Sequence, residues 1–364
     1  MNDRSPLEAP TSRPRRSRLR NRVAGSLVSI VLFFLFGEIV SRSFHLVDRL
    51  NGFPRQLYEA NDSEDLPYQL RRSIDTMARG HRVIIDADGL RVGTPEAEPE
   101  ENATTVLLLG DSVAFGYRMD FEDTLGVRLE SIVEEESGQN FIVRNGGVEG
   151  YNTVHQLAWL RRNVDHLDPD LVIVIFNLND YDWGPVMGPS GVLTTDRSQR
   201  VSRFSLASQS DFYVLLRWLV ALARAPSPPP AVTEAEGGTA RFDRFDSFVS
   251  LLRKRYYAAP DDERWDQMVE ALAGLADETA RRDLPLLIAI VPDGDQIGVD
   301  APDPTPQRRL ADVCRDLGIS CFDLWPIFDA ASGEEPLFLD IMHPNERGHE
   351  LIARALAPWV LRSR

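Results

Sequence analysis

The chain has 364 residues, of which 43% are hydrophobic and 26% charged, and its formal net charge is −16. That size and composition suit one large globular α/β domain with extensions, or two average domains, and exclude a chain that is mainly disordered. Residues 1–22 hold seven Arg against Asp3 and Glu8, a balance of +5, so the remainder carries −21; a body that acidic argues against a nucleic-acid partner, because phosphate binding needs a basic surface.

The first element is apolar. Val23–Gly37 contains no charge over 15 residues, and Glu38 interrupts the run before Ile39 and Val40 continue it. With those residues near the interface, it approaches the roughly 20 residues that a bilayer crossing needs. The expected organisation is a cytoplasmic Arg-rich tail at 1–22 and a transmembrane signal anchor at 23–41, with everything beyond it exported by the positive-inside rule. A cleaved signal peptide would need small residues just before its cut, and Ser41-Arg42-Ser43 serves that poorly. Residues 42–103 are expected as a membrane-proximal region and linker, with one strand-like piece at Arg82–Ile85 before a turn at Asp86–Gly89.

From Thr104 the pattern changes. Thr105–Leu109, Asn140–Arg144, Leu171–Phe176, Leu286–Val291 and Ser320–Leu324 are predicted as short buried strands. Thr124–Glu136, Val154–His166, Trp265–Arg282, Pro306–Leu317 and residues 346–362 alternate with them as helices. Strands that are apolar throughout and alternate with helices indicate a parallel sheet covered on both faces. A domain over 104–362 with an insertion at about 181–260 follows. Within the insertion, Phe204–Ala225 holds an apolar helix, read as a core or lid element or a second membrane-contacting surface, with Arg217 and Arg224 arguing against a second span. The Pro-rich 226–238 that follows reads as a linker.

Such sheets carry their sites at the C-terminal ends of the strands. Gly110-Asp111-Ser112 follows the first strand, where a Ser opening onto a helix can act as a nucleophile if a base is in reach; Ser and Asp there are equally good helix caps. Asn145 to Gly150 follows the second strand, and a glycine turn there can offer a backbone N–H to an oxyanion. Asn177-Leu178-Asn179-Asp180 follows the third, where an Asn side chain can donate to the same charge or merely shape a turn. Asp340 and His343, three apart and just before the last helix, can sit on one side of a helical turn with the imidazole between Asp340 and Ser112.

In this order the four blocks resemble the SGNH (GDSL-like) hydrolase family over roughly residues 104–362: Gly110-Asp111-Ser112, the segment ending at Gly150, Asn179-Asp180, and Asp340 with His343. The resemblance implies a flavodoxin-like three-layer α/β/α sandwich and no cofactor. It also implies Ser112 as nucleophile, His343 as base then acid, Asp340 as its orienter, and an oxyanion hole of the Ser112 and Gly150 N–H groups and the Asn179 side chain. The implied activity is an extracytoplasmic serine esterase acting on an ester-bearing small molecule or acylated glycan. The alternative is an O-acyltransferase acting on cell-envelope polysaccharide with the same triad. Asn177 stands where the family usually has Gly, which is expected to narrow or reshape the oxyanion pocket; Val113 or Ala114 replaces the Leu of the first block.

Three further features are weaker. Cys314 and Cys321, seven apart, are either one small disulfide loop or two unpaired thiols. Asp293, Asp295, Asp300 and Asp303 form an acidic loop whose spacing fails an EF-hand, expected as a solvated or substrate-facing loop. His349 does not stand at a zinc-ligand spacing from His343, and no metal site is expected.

Overall fold

The computed structural model describes residues 15–44, 46–47, 53–61, 63, 65–94, 102–181, 184–188, 191, 193–194, 210–224, 263–298, 305–333 and 335–363. The first part of the Arg-rich tail, most of the acidic stretch at 95–101, the Pro-rich 226–238, Asp300 and Asp303 lie outside these residues.

In chain order the elements are helix α1 (Arg15–Ser43), strands β1 (Tyr58–Ala60), β2 (Tyr68–Leu70), β3 (Ile74–Ala78), β4 (His81–Ile85), β5 (Arg91–Val92) and β6 (Thr104–Gly110), then α2 (Ser112–Phe115), α3 (Leu125–Ser137), β7 (Phe141–Asn145), α4 (Thr153–Leu167) and β8 (Leu171–Phe176). There follow β9 (Val186–Met187), β10 (Leu193–Thr194), α5 (Asp211–Arg224), α6 (Glu263–Ala280), β11 (Leu286–Ile290), α7 (Thr305–Leu317), β12 (Ser320–Asp323), α8 (Trp325–Ala330) and α9 (Glu346–Arg362).

The main sheet has eight strands in the order β12-β11-β8-β6-β7-β5-β4-β3. The five from β12 to β7 run parallel; the central β8 and β11 are apolar throughout as expected, whereas the flanking β7 and β12 carry polar residues and are only partly buried. All six residues of β8 are buried, each such aliphatic side chain contributing about 1.5–3 kcal/mol. The pleat sends alternate residues to opposite layers: Leu107, Val172 and Ile288 join a core with α4 and α6, while Val106, Ile173 and Leu287 join one with α3 and α9.

The N-terminal region departs from a linker. Residues 74–92 form the three antiparallel strands β3 to β5 and extend the sheet beyond β7, where Arg91 pairs with Asn145. Short polar-faced strands such as Ile74–Ala78, with alternating burial, carry much less signal than LVIVIF. Cys314 and Cys321 are joined as a disulfide, with Cα atoms 6.1 Å apart, tying the end of α7 to β12. In the insertion, α5 packs against α1, whose Arg20–Ser43 stretch is long and apolar enough to cross a membrane.

Candidate active site

Strand β6 ends at Gly110, where a side chain would collide with Ile175 O and the Ala114 Cβ at 2.9 and 2.8 Å. Only Gly lets β6 turn this tightly against β8. Asp111, not Ser112, caps the short helix α2: its Oδ1 accepts the Val113 N–H at 2.9 Å. The cap therefore leaves the Ser112 hydroxyl available.

That hydroxyl lies 2.9 Å from His343 Nε2. On the other side of the ring, His343 Nδ1 lies 2.8 and 2.7 Å from the two oxygens of Asp340. Residues 231 apart in sequence thus form one hydrogen-bonded line. The expected helical turn at 340–343 is instead an irregular loop. Asp340 Oδ1 accepts the Met342 and His343 N–H groups at 3.0 Å each, and Leu339 N–H donates to His343 O at 2.8 Å. An Asx-type turn brings the carboxylate and imidazole together as well as a helix would. Burial raises the Asp340 pKa, but the hydrogen bonds from the His343 ring and from these two N–H groups outweigh it and hold the carboxyl at about 2.

The acidic loop after β11 braces this turn. Gly294 N–H donates to Ile341 O at 2.7 Å, and Asp293 is fully buried, its N–H bonded to Gln296 Oε1. At Asp293 this loop is therefore structural rather than solvated.

The other blocks meet the turn between β6 and α2, where Val148 N–H donates to Gly110 O at 3.1 Å. Among the described residues, neither the Ser112 nor the Gly150 N–H has a hydrogen-bond acceptor. Gly150 has φ +78, a left-handed value that other residues adopt at a cost. The Glu149 carbonyl accepts from the Tyr68 hydroxyl at 2.9 Å. Because a trans peptide is planar, pinning that oxygen also fixes the direction of the Gly150 N–H. Asn179 Nδ2 donates to Asp111 Oδ2 at 3.0 Å, which leaves its second N–H free for a developing charge.

Asn177 binds the same carboxylate. Its side chain is fully buried and turns inward, donating from Nδ2 to Asp111 Oδ1 at 3.1 Å. Asp180 is a buried framework residue that accepts from the Asn177 N–H and Gln156 Nε2 at 2.7 and 2.6 Å; burial, and then the nearby Asp111, push its pKa well up. His349 is likewise structural. It is buried, its Nδ1 accepts the Leu125 N–H at the start of α3, and burial lowers its pKa to about 3. Among the described residues no group of three or more His, Cys, Asp or Glu is placed to hold a metal.

Several supporting residues were not legible in the sequence. Tyr117 stacks on the His343 ring at 4.0 Å between centroids. Arg79, from the β3–β4 hairpin, lies 4.5 Å from the centre of the same Tyr117 ring. Its guanidinium also makes a two-pronged ion pair with Glu149, at 2.7 and 2.6 Å, which the Tyr58 hydroxyl joins at 2.6 Å. One arginine therefore touches both the ring behind the imidazole and the residue preceding Gly150. Arg91, buried in β5, donates to the Phe115, Gly116 and Met119 carbonyls at 2.6–2.7 Å and so holds the far end of α2. Tyr117 and Glu149 lie within or beside the catalytic blocks, so proximity was a signal for them; Arg79, Arg91, Tyr58 and Tyr68 lie in the N-terminal segment and carried none.

Residues 108–351 match the GDSL-like lipase/acylhydrolase family model. The chain belongs to this family, whose members are hydrolases acting on ester bonds. Among solved structures it is similar to TesA, at 14% identity over 72% of this chain and 100% of the other, with a TM-score of 0.40. It is also similar to a lipolytic G-D-S-L protein from Desulfitobacterium hafniense DCB-2, at 12% identity over 70% and 98% of the two chains and a TM-score of 0.38. A third is the acetyl xylan esterase AlAXEase, at 12% identity over 71% and 99% with a TM-score of 0.41. None of the curated proteins matches the sequence.

Proposed function

We propose that this member of the family is a membrane-anchored, extracytoplasmic serine esterase that opens carboxylic esters through an acyl-enzyme on Ser112. The observation that carries the reading is the continuous line from Ser112 Oγ through His343 to Asp340, with contacts of 2.9 and 2.7 Å. In that line His343 Nε2 takes the Ser112 proton as Oγ attacks the ester carbonyl carbon. Asp340, ionised at neutral pH, accepts Nδ1–H, fixes the tautomer and stabilises the imidazolium that forms. The carbonyl oxygen becomes an oxyanion facing the Ser112 and Gly150 N–H groups and Asn179 Nδ2; one such donor typically contributes on the order of 3 kcal/mol to the transition state. The imidazolium then protonates the leaving alcohol. Water, deprotonated by His343, attacks the acyl carbon, and Ser112 leaves with its proton restored.

Two features support a location outside the cytoplasm. An Arg-rich segment precedes the apolar stretch of α1, and the Cys314–Cys321 disulfide suits an oxidising compartment. The substrate class is an ester-bearing small molecule or an acylated glycan. The acyl-enzyme is common to hydrolysis and to transfer, and the acceptor decides between them. Fluorophosphonate labelling of the full chain tests the nucleophile: the parent is labelled and Ser112→Ala is not, whereas equal labelling of both removes Ser112 from the role. Acetate released from p-nitrophenyl acetate or an acetylated glycan, with and without acceptor sugars, then separates water from sugar as the acceptor.

A further inference from the structure

Helix α5 is strongly apolar over a broad face: between Asp211 and Arg224 its sequence FYVLLRWLVALA has Arg217 as its one charge, on the same side as Tyr213 and Arg224. Leu219 and Val220 are 45% and 46% exposed. In water a face this apolar packs against the protein core, yet among the described residues the element it chiefly packs against is α1, itself the candidate membrane span. The contact is built, not incidental. Phe212 packs edge-on to Phe33 and Phe34, with ring centroids 5.4 and 5.7 Å away, and it sits over Gly37, where a Cβ would lie 2.6 Å from the ring.

Glu38, the residue that breaks the apolar run of α1, explains the rest. Its carboxylate accepts the Ser210 hydroxyl at 2.7 Å and the Asp211 and Phe212 N–H groups at 3.2 and 3.0 Å. These are N–H groups that a helix start leaves without internal partners, and an anion there also meets the positive end of the helix dipole. Asp211 in turn is buried and paired with Arg55 at 2.9 Å. A helix start satisfied in this way can sit where water is scarce. Fourteen residues span about 21 Å at the usual rise, short of the roughly 30 Å hydrocarbon core.

We propose that α5 is a second membrane element: it enters the leaflet that holds the C-terminal half of α1, clasped there by Glu38, and bilayer lipid covers its exposed apolar face. The proposal rests on reading α1 as a retained anchor. Since the insertion that carries α5 follows Asn179 and Asp180 in the chain, the segment leaving the oxyanion block is tethered to the membrane.

The test uses the full chain in phosphatidylcholine vesicles. The two native cysteines are bonded to each other, so single cysteines introduced as Val28→Cys, Leu219→Cys or Met77→Cys can be labelled selectively with an environment-sensitive fluorophore. Met77, exposed on β3, is the aqueous control. Labels at 28 and 219 are expected to shift to the blue and to be quenched by lipids with spin-labelled acyl chains, while the label at 77 is quenched by iodide alone. A label at 219 that behaves like the one at 77, with 28 still lipid-quenched, overturns the proposal and leaves the anchor standing. Labels at 28 and 219 that both behave like 77 overturn the anchor reading and the proposal with it. Adding Glu38→Ala should move the signal at 219 toward the aqueous control and leave 28 unchanged; a signal at 219 that does not move overturns the clasp.

Discussion

Arg79 offers the sharpest test of how the site is held. Its side chain is 12% exposed and that of Glu149 2%. The pair is joined by two hydrogen bonds of 2.7 and 2.6 Å. The Arg79→Ala change would leave the Glu149 carboxylate buried with the Tyr58 hydroxyl as its remaining strong donor. Breaking one side of a buried pair costs about 3–5 kcal/mol, whereas replacing both sides by well-packed neutral groups is often close to neutral. Arg79→Met combined with Glu149→Gln keeps the volume and an acceptor for Tyr58, so most of the loss should return. Activity should separate from stability. Both variants remove the guanidinium from the face of Tyr117 and loosen the Glu149–Gly150 peptide, and misplacing catalytic groups by about 1 Å can cost on the order of 10² in rate. The assay is urea unfolding with the slope held constant, beside kcat/KM on p-nitrophenyl acetate. A loss below about 1 kcal/mol in Arg79→Ala, or a double variant no more stable than the single, would show that the pair does not hold the site.

Two further outcomes concern pH and the triad. Asp340→Asn should lower kcat by on the order of 10³–10⁴ with little change in KM, because the imidazole loses the group that fixes its tautomer; unchanged turnover would remove Asp340 from the line. The folded-state value of Asp340, about 2, lies below its ordinary 3.8, so its stabilising contribution of about 2 kcal/mol is present above pH 4 and is lost as pH falls toward 2. The same variant should lack that part of the acid transition in a pH-dependent unfolding series. His349 behaves with the opposite charge and the same slope. Its folded value is about 3 and its ordinary value 6.5, so between these limits the unfolded chain binds a proton that the folded chain refuses. Stability should therefore fall by about 1.4 kcal/mol per pH unit below 6.5, and His349→Asn, which keeps an acceptor for the Leu125 N–H, should flatten that slope by one proton. An equal slope in both proteins would show that His349 takes up its proton in the folded state as readily as in the unfolded chain.

Strand patterning alone was enough to place the parallel core and to pick out the candidate site residues. Strands such as Leu171–Phe176 are buried on both faces and so are apolar at every position, and a residue just after such a strand must stand at the sheet's C-terminal edge. That is why Ser112 and Asn179, after β6 and β8, stood out as candidates, whereas Gly150 was marked by the glycine turn after the less apolar β7. Asp340 and His343 were legible by their spacing, although the turn that joins them was not: an Asx turn and a helical turn both tolerate Asp-x-x-His. What supports them emerges only from the packed fold. Arg79, Tyr58, Tyr68 and Arg91 come from short strands with a half-exposed alternation that a linker can imitate, and their partners lie 24 to 91 residues away. Long-range polar contacts of this kind leave no periodicity behind. Asn177 is the clearest case. Its identity suggested bulk beside the oxyanion pocket, and only the packed structure shows its amide holding Asp111. Glu38 is the converse: in sequence it breaks an apolar run, and in the fold it caps a helix that begins 173 residues later.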